Sequence, residues 1–261
     1  MIAHVRPSDY TALLMDAVAS ARRSSFWRQK LGEQSVSSQA DFDRLPFTPI
    51  REYRRQSFAS VVADPDAIEW IPGSLLGQSP DRVPIAEGPT EAKVRVDLMA
   101  DAIRPSLPEE TNGSSALVIT TSGRRHFGAE MCAALVRMGV QGHLITDEAT
   151  DRIDALVRTF EPDVVVALSQ VIDLRDLPDS VTGAVTVGRG LLIEEIRHVD
   201  LLVQNELGVL GASFGSGGYA MNHHRFHFEE SPLGTLAVTP YFSRVQPLIR
   251  LDTGMSASVL H

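Results

Sequence analysis

The chain has 261 residues, 43% of them hydrophobic and 22% charged, which suits one large globular domain with a sizeable core. Its net charge of −9 gives no global attraction for nucleic acid or for an anionic membrane surface. A lone cysteine, Cys132, excludes an internal disulfide and a cysteine-built zinc site, and a reducing, cytoplasmic compartment is the natural reading.

The N-terminus, MIAHVRPSDY, has no basic stretch ahead of an apolar run, so no signal peptide is expected. No apolar run approaches the ~20 residues that span a bilayer. Residues 9–31 place Tyr10, Leu13, Leu14, Ala17, Val18 and Ala21 at the i, i+3, i+4, i+7 spacing, which predicts an amphipathic helix. Ser8 or Asp9 can cap its start, and Gly32 is placed to end it. The stretch 41–56, DFDRLPFTPIREYRRQ, breaks at Pro46 and Pro49 and then resumes a helical pattern. Residues 72–92 are rich in Gly, Pro and Ser and read as loop.

From about residue 114 the pattern changes. Apolar runs at Ala116–Thr121, His143–Thr146, Asp163–Leu168, Gly183–Val187 and Asp200–Val203 alternate with helical stretches at 127–138 and 151–160. Strands without polar alternation, separated by helices, predict an α/β fold with a mainly parallel sheet of five or more strands over 114–206, flanked by helices. The tail differs. Arg225–Glu229, Thr235–Thr239, Pro247–Leu251 and Ala257–Leu260 read as short strands, so a C-terminal antiparallel β subregion is expected. The expected layout is a single unit over 1–261: a helical lead-in at 1–70, the parallel core at 114–206 and a β-rich end at 207–261.

Several residues carry possible chemistry. Glu206 follows a strand at the carboxyl edge of the parallel sheet, where open α/β folds bind ligands; it also reads as an ordinary strand-end residue. Thr120 to Arg125 lies between a strand and a helix and reads as an anion site or, more simply, as a capped helix start. His223 and His227, in MNHHRFHFEE, would share a face if the segment were a strand, and with Glu229 they suggest a metal site; a structural role is the alternative. Gly215-Ser216-Gly217-Gly218 reads as a loop that needs positive φ. Cys132 falls inside a helix and reads as packed.

The segment Phe26–Gln56 resembles the opening of phenylacetate–CoA ligases and of the related acyl-protein synthetases, with LPFT at Leu45–Thr48. Three further pieces follow in the same order. Ala86–Lys93 stands where that family has its Gly-rich phosphate loop, Leu202–Gly208 resembles the Y-G-x-T-E-x-G segment, and Pro247–Met255 resembles P-L-I-R-Y-R-T-G-D. The resemblance implies a fold like the N-terminal domain of adenylate-forming enzymes. It also implies ATP and Mg as cofactors, with Gly88, Thr90, Lys93, Gly188, Gln204, Asn205, Glu206 and Arg250 as cofactor-binding residues and Glu206 holding Mg through ATP. Arg189 lies in what looks like the family's G-G-E turn.

The departures from the family are as informative. The loop serines are Ala86 and Glu87, a threonine is Pro89, a glycine is Glu91, and the ribose-binding aspartate is Met255. The family's small C-terminal catalytic domain, with its lysine, would lie beyond His261 and is expected to be absent, so a partner protein would have to supply it. The resemblance implies an acid-activating ligase homologue acting on a small carboxylic acid or acyl group, with impaired ATP chemistry. A repurposed acyl- or acid-binding subunit without ATP, and an ATP-independent acyl transferase or lyase, are the alternatives.

Overall fold

The computed structural model describes residues 6–69, 84–121, 125–146, 153–168, 177–188, 196–214 and 218–260. They belong to two compact units: Val94–Ala220, and Ala3–Lys93 with Met221–His261. Among the described residues, no helix is long and apolar enough to cross a membrane.

The first unit is built on the expected parallel sheet. Its strands run in the order Gln141–Thr146, Ser115–Thr120, Val164–Ala167, Gly183–Val187, Arg197–Gln204, and all four pairings among them are parallel. Gly208–Ser213 then folds back antiparallel on Arg197–Gln204, and a short strand, Ala220–Met221, lies at the far edge. Val164–Ala167 is apolar along its whole length because helices cover both faces. On one face Met99 and Ile103 of the helix Pro89–Ile103, with Phe127 and Met131 of the helix Arg125–Arg137, pack on Val118, Val166 and Leu201. On the other, Val157 of the helix Ile153–Phe160 packs on Leu117, Ile119 and Val165. Each such side chain contributes roughly 1.5–3 kcal/mol of burial free energy.

The second unit holds a four-stranded sheet in the order Thr48–Pro49, Leu251–Ser256, Thr235–Pro240, Phe226–Glu230. The last three are antiparallel, whereas Thr48–Pro49 joins Leu251 and Asp252 in parallel. Trp27 anchors the helical lead-in here: its indole Nε1–H donates to the Pro247 carbonyl at 2.6 Å, and Phe26 packs edge-on against it.

Four expectations are corrected. The helix over 9–31 is two helices, Tyr10–Ala21 and Ser25–Leu31. Ser24 interrupts it by taking extended backbone angles and accepting the Trp27 N–H, an N-cap that competes with helix continuation. Gly32 ends the second helix at φ 64°, as its position suggests. Residues 72–92 are not all loop: a helix begins at Pro89. Pro247–Leu251 does not form a strand. Arg250 takes φ 45°, which breaks extended backbone, and the strand starts at Leu251. Ala257–Leu260 is a turn of 3₁₀ helix, not a strand.

Candidate functional site

In the first unit, Asn205–Leu207 form the tight turn between Arg197–Gln204 and Gly208–Ser213. The Leu207 N–H closes it on the Gln204 carbonyl at 3.0 Å, and Gly208 takes φ 88°, where a side chain would be strained. Glu206 is 4% exposed, and Gln204 Nε2 donates to its Oε2 at 3.0 Å. Gly188, at φ 61°, follows the neighbouring strand and donates to the Leu201 carbonyl. Gly188, Gln204, Asn205 and Glu206 thus gather at the carboxyl ends of two adjacent parallel strands.

What holds this turn is Arg95, which sequence reasoning missed. It is 2% exposed. Its Nε and Nη2 donate to the two carboxylate oxygens of Glu130 at 2.9 and 3.1 Å, and its Nη1 donates to the Asn205 carbonyl at 3.2 Å. The guanidinium therefore ties two helices to the turn that carries Glu206. A cavity beside the turn, lined by Phe127, Leu168, Val187, Val203 and Asn205, measures about 30 Å³, room for a water or two. A basin of about 490 Å³ opens at the opposite edge, along Arg104, Glu109, Met138 and Arg197.

A second polar group was also missed. Thr186, Asp200 and His198 lie buried on one sheet face. Thr186 Oγ1 donates to Asp200 Oδ1 at 2.6 Å, and the Tyr219 hydroxyl donates to Oδ2 at 2.5 Å. The single Thr186 proton is then used, so His198 Nε2, 2.8 Å away, is the donor to Thr186, which fixes its tautomer. Burial, and then the Asp200 carboxylate, push the Tyr219 phenol above its ordinary range. Cys132 is half-buried, and desolvation raises its thiol, in line with a packed residue.

In the second unit the 86–93 segment is strapped down. Gln246 accepts from the Ala86 N–H at 2.8 Å and donates to the Pro84 carbonyl at 2.7 Å. Gly88 caps the helix: its carbonyl accepts the Ala92 N–H, and Pro89 takes the first helical position. Glu91, 1% exposed, reaches back to its own cap. Its Oε2 accepts the Gly88 N–H at 3.2 Å and the Val245 N–H at 2.7 Å, while Oε1 accepts Arg244 Nε–H at 2.8 Å. In Gly-Pro-Thr-Glu the glutamate therefore supplies only the back-reaching half of a capping box, closed by a buried ion pair. Thr90 and Lys93 are exposed.

Arg250 is also committed. It pairs with both oxygens of Glu229 at 2.9 and 3.1 Å, donates to the carbonyls of Asp43 and Leu45, and lies 3.8 Å over the Phe47 ring. The histidine pair is corrected. His227 is on the strand Phe226–Glu230, but His223 is in the turn that Asn222 opens by accepting the Arg225 and Phe226 N–H groups. The rings pack against different aromatics, His227 on Phe42 and His223 on Phe228. Among the described residues, no three His, Cys, Asp or Glu side chains gather as a metal site. Ser122–Arg124, Arg189, Gly190 and Gly215–Gly217 lie outside the described residues.

No family model matches the sequence, and no curated protein matches it. Solved structures do match the fold. An open conformation of 2-hydroxyisobutyryl-CoA ligase in complex with 2-HIB-AMP and CoA superposes with a TM-score of 0.72 at 15% identity, over 93% of this chain and 67% of that one. The same ligase in the postadenylation state with R3-HIB-AMP gives 0.73 at 16% identity, over 93% and 61%. The chain thus spans about two thirds of the length of these ligases. It has the fold of the adenylate-forming acyl-CoA ligases.

Proposed function

We propose that this protein is an acid-activating-ligase homologue that engages a small carboxylic acid or acyl group and whose ATP chemistry is impaired. The fold supports the first part. The carboxylate of Glu91 supports the second. A phosphate loop works by offering backbone N–H groups and a cation to a phosphate. Here the Gly88 N–H, the Val245 N–H and Arg244 Nε already serve an internal anion. Pro89 has no N–H to offer. A phosphate brought to within about 4 Å of this carboxylate meets roughly 4 kcal/mol of repulsion per unit charge at an effective dielectric near 20. The residues at 86–93 therefore do not fit a triphosphate.

Exchange of radiolabelled pyrophosphate into ATP, run with a panel of short aliphatic and aromatic acids, tests the reading. The expected result is background exchange with every acid. Exchange above background with any one of them would restore full adenylating activity and overturn the impairment.

A further inference from the structure

The second unit contains a cavity of about 240 Å³ between the helix Tyr10–Ala21 and the segment 240–249. Leu13, Ala17, Phe242 and Leu248 give it an apolar lining, and Arg244 borders it. A smaller cavity of about 100 Å³, reaching Gly88–Glu91, shares Arg23, Ser243 and Arg244 with the first. Arg244 thus borders both.

Its guanidinium is underused. The side chain is 3% exposed, yet only Nε–H has an acceptor among the described residues, and Nη1 is buried without a partner. Glu91 neutralises the charge through the Nε edge alone. Nη1 is closed off, whereas Nη2 has no acceptor among the described residues and is not enclosed, so it is the donor available to an oxyanion. Buried donors in this state call for a ligand or a water. The aromatic ring of Phe242 lies 5.8 Å from the guanidinium carbon, so cation and apolar wall are neighbours.

We propose that this cavity binds a small organic carboxylate, with its head on Nη2 of Arg244 and its short apolar body against Leu13, Ala17, Phe242 and Leu248. The volume suits a few-carbon acid and falls below that of drug-sized pockets. Arg23, on the shared wall, adds a second guanidinium, partly engaged by Asp64 at 3.7 Å. The acidic neighbours select the head group. Asp16 lines the cavity and Glu91 stands behind Arg244, so a dianionic phosphate is disfavoured against a monoanionic carboxylate. The inference stands on Arg244 and the cavity; it does not rest on the ligase reading and needs no ATP.

Titration of the full chain with butyrate and, separately, inorganic phosphate, followed by ligand-observed NMR in the absence of nucleotide, tests it. Butyrate should bind with a Kd of about 1 mM and phosphate at least about tenfold more weakly. Ala17→Phe, which fills the cavity and leaves the Glu91–Arg244 pair in place, should weaken butyrate by about tenfold or more, and Asp16→Asn should tighten it about two- to fivefold. Absence of butyrate binding would mean that water serves Nη2. Binding unchanged by Ala17→Phe, or phosphate binding as tightly as butyrate, would equally overturn the proposal. Pyrophosphate exchange reads the ligase question separately, so the two failures are distinguishable.

Discussion

Glu91 sits on Arg244, with the carboxylate Oε1 2.8 Å from the guanidinium Nε and 1% and 5% of the two residues exposed. Both are almost fully buried, so removing one leaves the charge of the other poorly compensated. Glu91→Gln is therefore expected to lower the unfolding free energy by about 3–5 kcal/mol, the range for breaking a buried pair from one side. Urea denaturation of the variant measures it. A loss below ~1 kcal/mol would mean that solvent enters and takes over the guanidinium.

Arg95 does the corresponding work in the first unit, holding Glu130 with two bonds and the Asn205 carbonyl with a third. Arg95→Met keeps much of the bulk and removes all three. The turn at Asn205–Leu207 should loosen, and its amides should exchange with deuterium at least about tenfold faster, the equivalent of ~1.4 kcal/mol of local stability. Unchanged exchange in that turn would show that Gln204 and the strand pairing suffice to hold Glu206.

Acid should weaken the second unit through Glu229. Burial alone would raise its carboxyl, but the His227 ring, 3.7 Å away, and two bonds from Arg250 outweigh burial and hold it below the ordinary value of 4.5. A carboxyl depressed in the folded state contributes stability that is present above its unfolded value and is lost as pH falls through the folded one. The denaturation midpoint should therefore decline as pH drops below about 4.5. Glu229→Gln should be less stable at neutral pH and should show a shallower acid decline. An identical acid slope in the variant would remove Glu229 from the account.

Gly183 opens its strand against the backbone of Ser106. A Cβ at that position would fall 1.9 Å from the Ser106 carbonyl oxygen. Because the obstacle is main chain, no rotamer change relieves it. Gly183→Ala should lower stability by about 1–3 kcal/mol or more, as overpacking does, and a melting curve will show it. A melting temperature within experimental error of the parent would contradict the close approach.

The parallel core was legible in the sequence because strands covered on both faces read as unbroken apolar runs, and Val164–Ala167 and Gly183–Val187 fall where such runs lie. The break at Ser24 was not legible. It lies within a helical periodicity that continues past it, and only the cap bond to Trp27 reveals the interruption. The helix start at Pro89 did have a local signature, Gly-Pro-Thr-Glu, but the neighbouring Gly, Pro and Ser of 72–92 hid it in an apparent loop. Glu206 could be placed at the carboxyl edge of the parallel sheet from strand order alone. Its support could not, since Arg95 and Glu130 are 35 residues apart and ion pairs between helices leave no periodic trace. Arg250 was read from motif likeness as a ligand-facing residue, whereas its donors are taken by Glu229 and by the Asp43 and Leu45 carbonyls, partners close to it only in the folded chain.

The carboxylate of Glu91 occupies donors at the start of the helix Pro89–Ile103 that a bound phosphate would need. Calorimetric titration of the purified chain with Mg-ATP addresses this most directly. Binding should be no tighter than a Kd of about 0.1 mM, equivalent to roughly −5.5 kcal/mol. A micromolar Kd would contradict it, because the Gly88 and Arg244 donors would then have to leave Glu91 for the nucleotide.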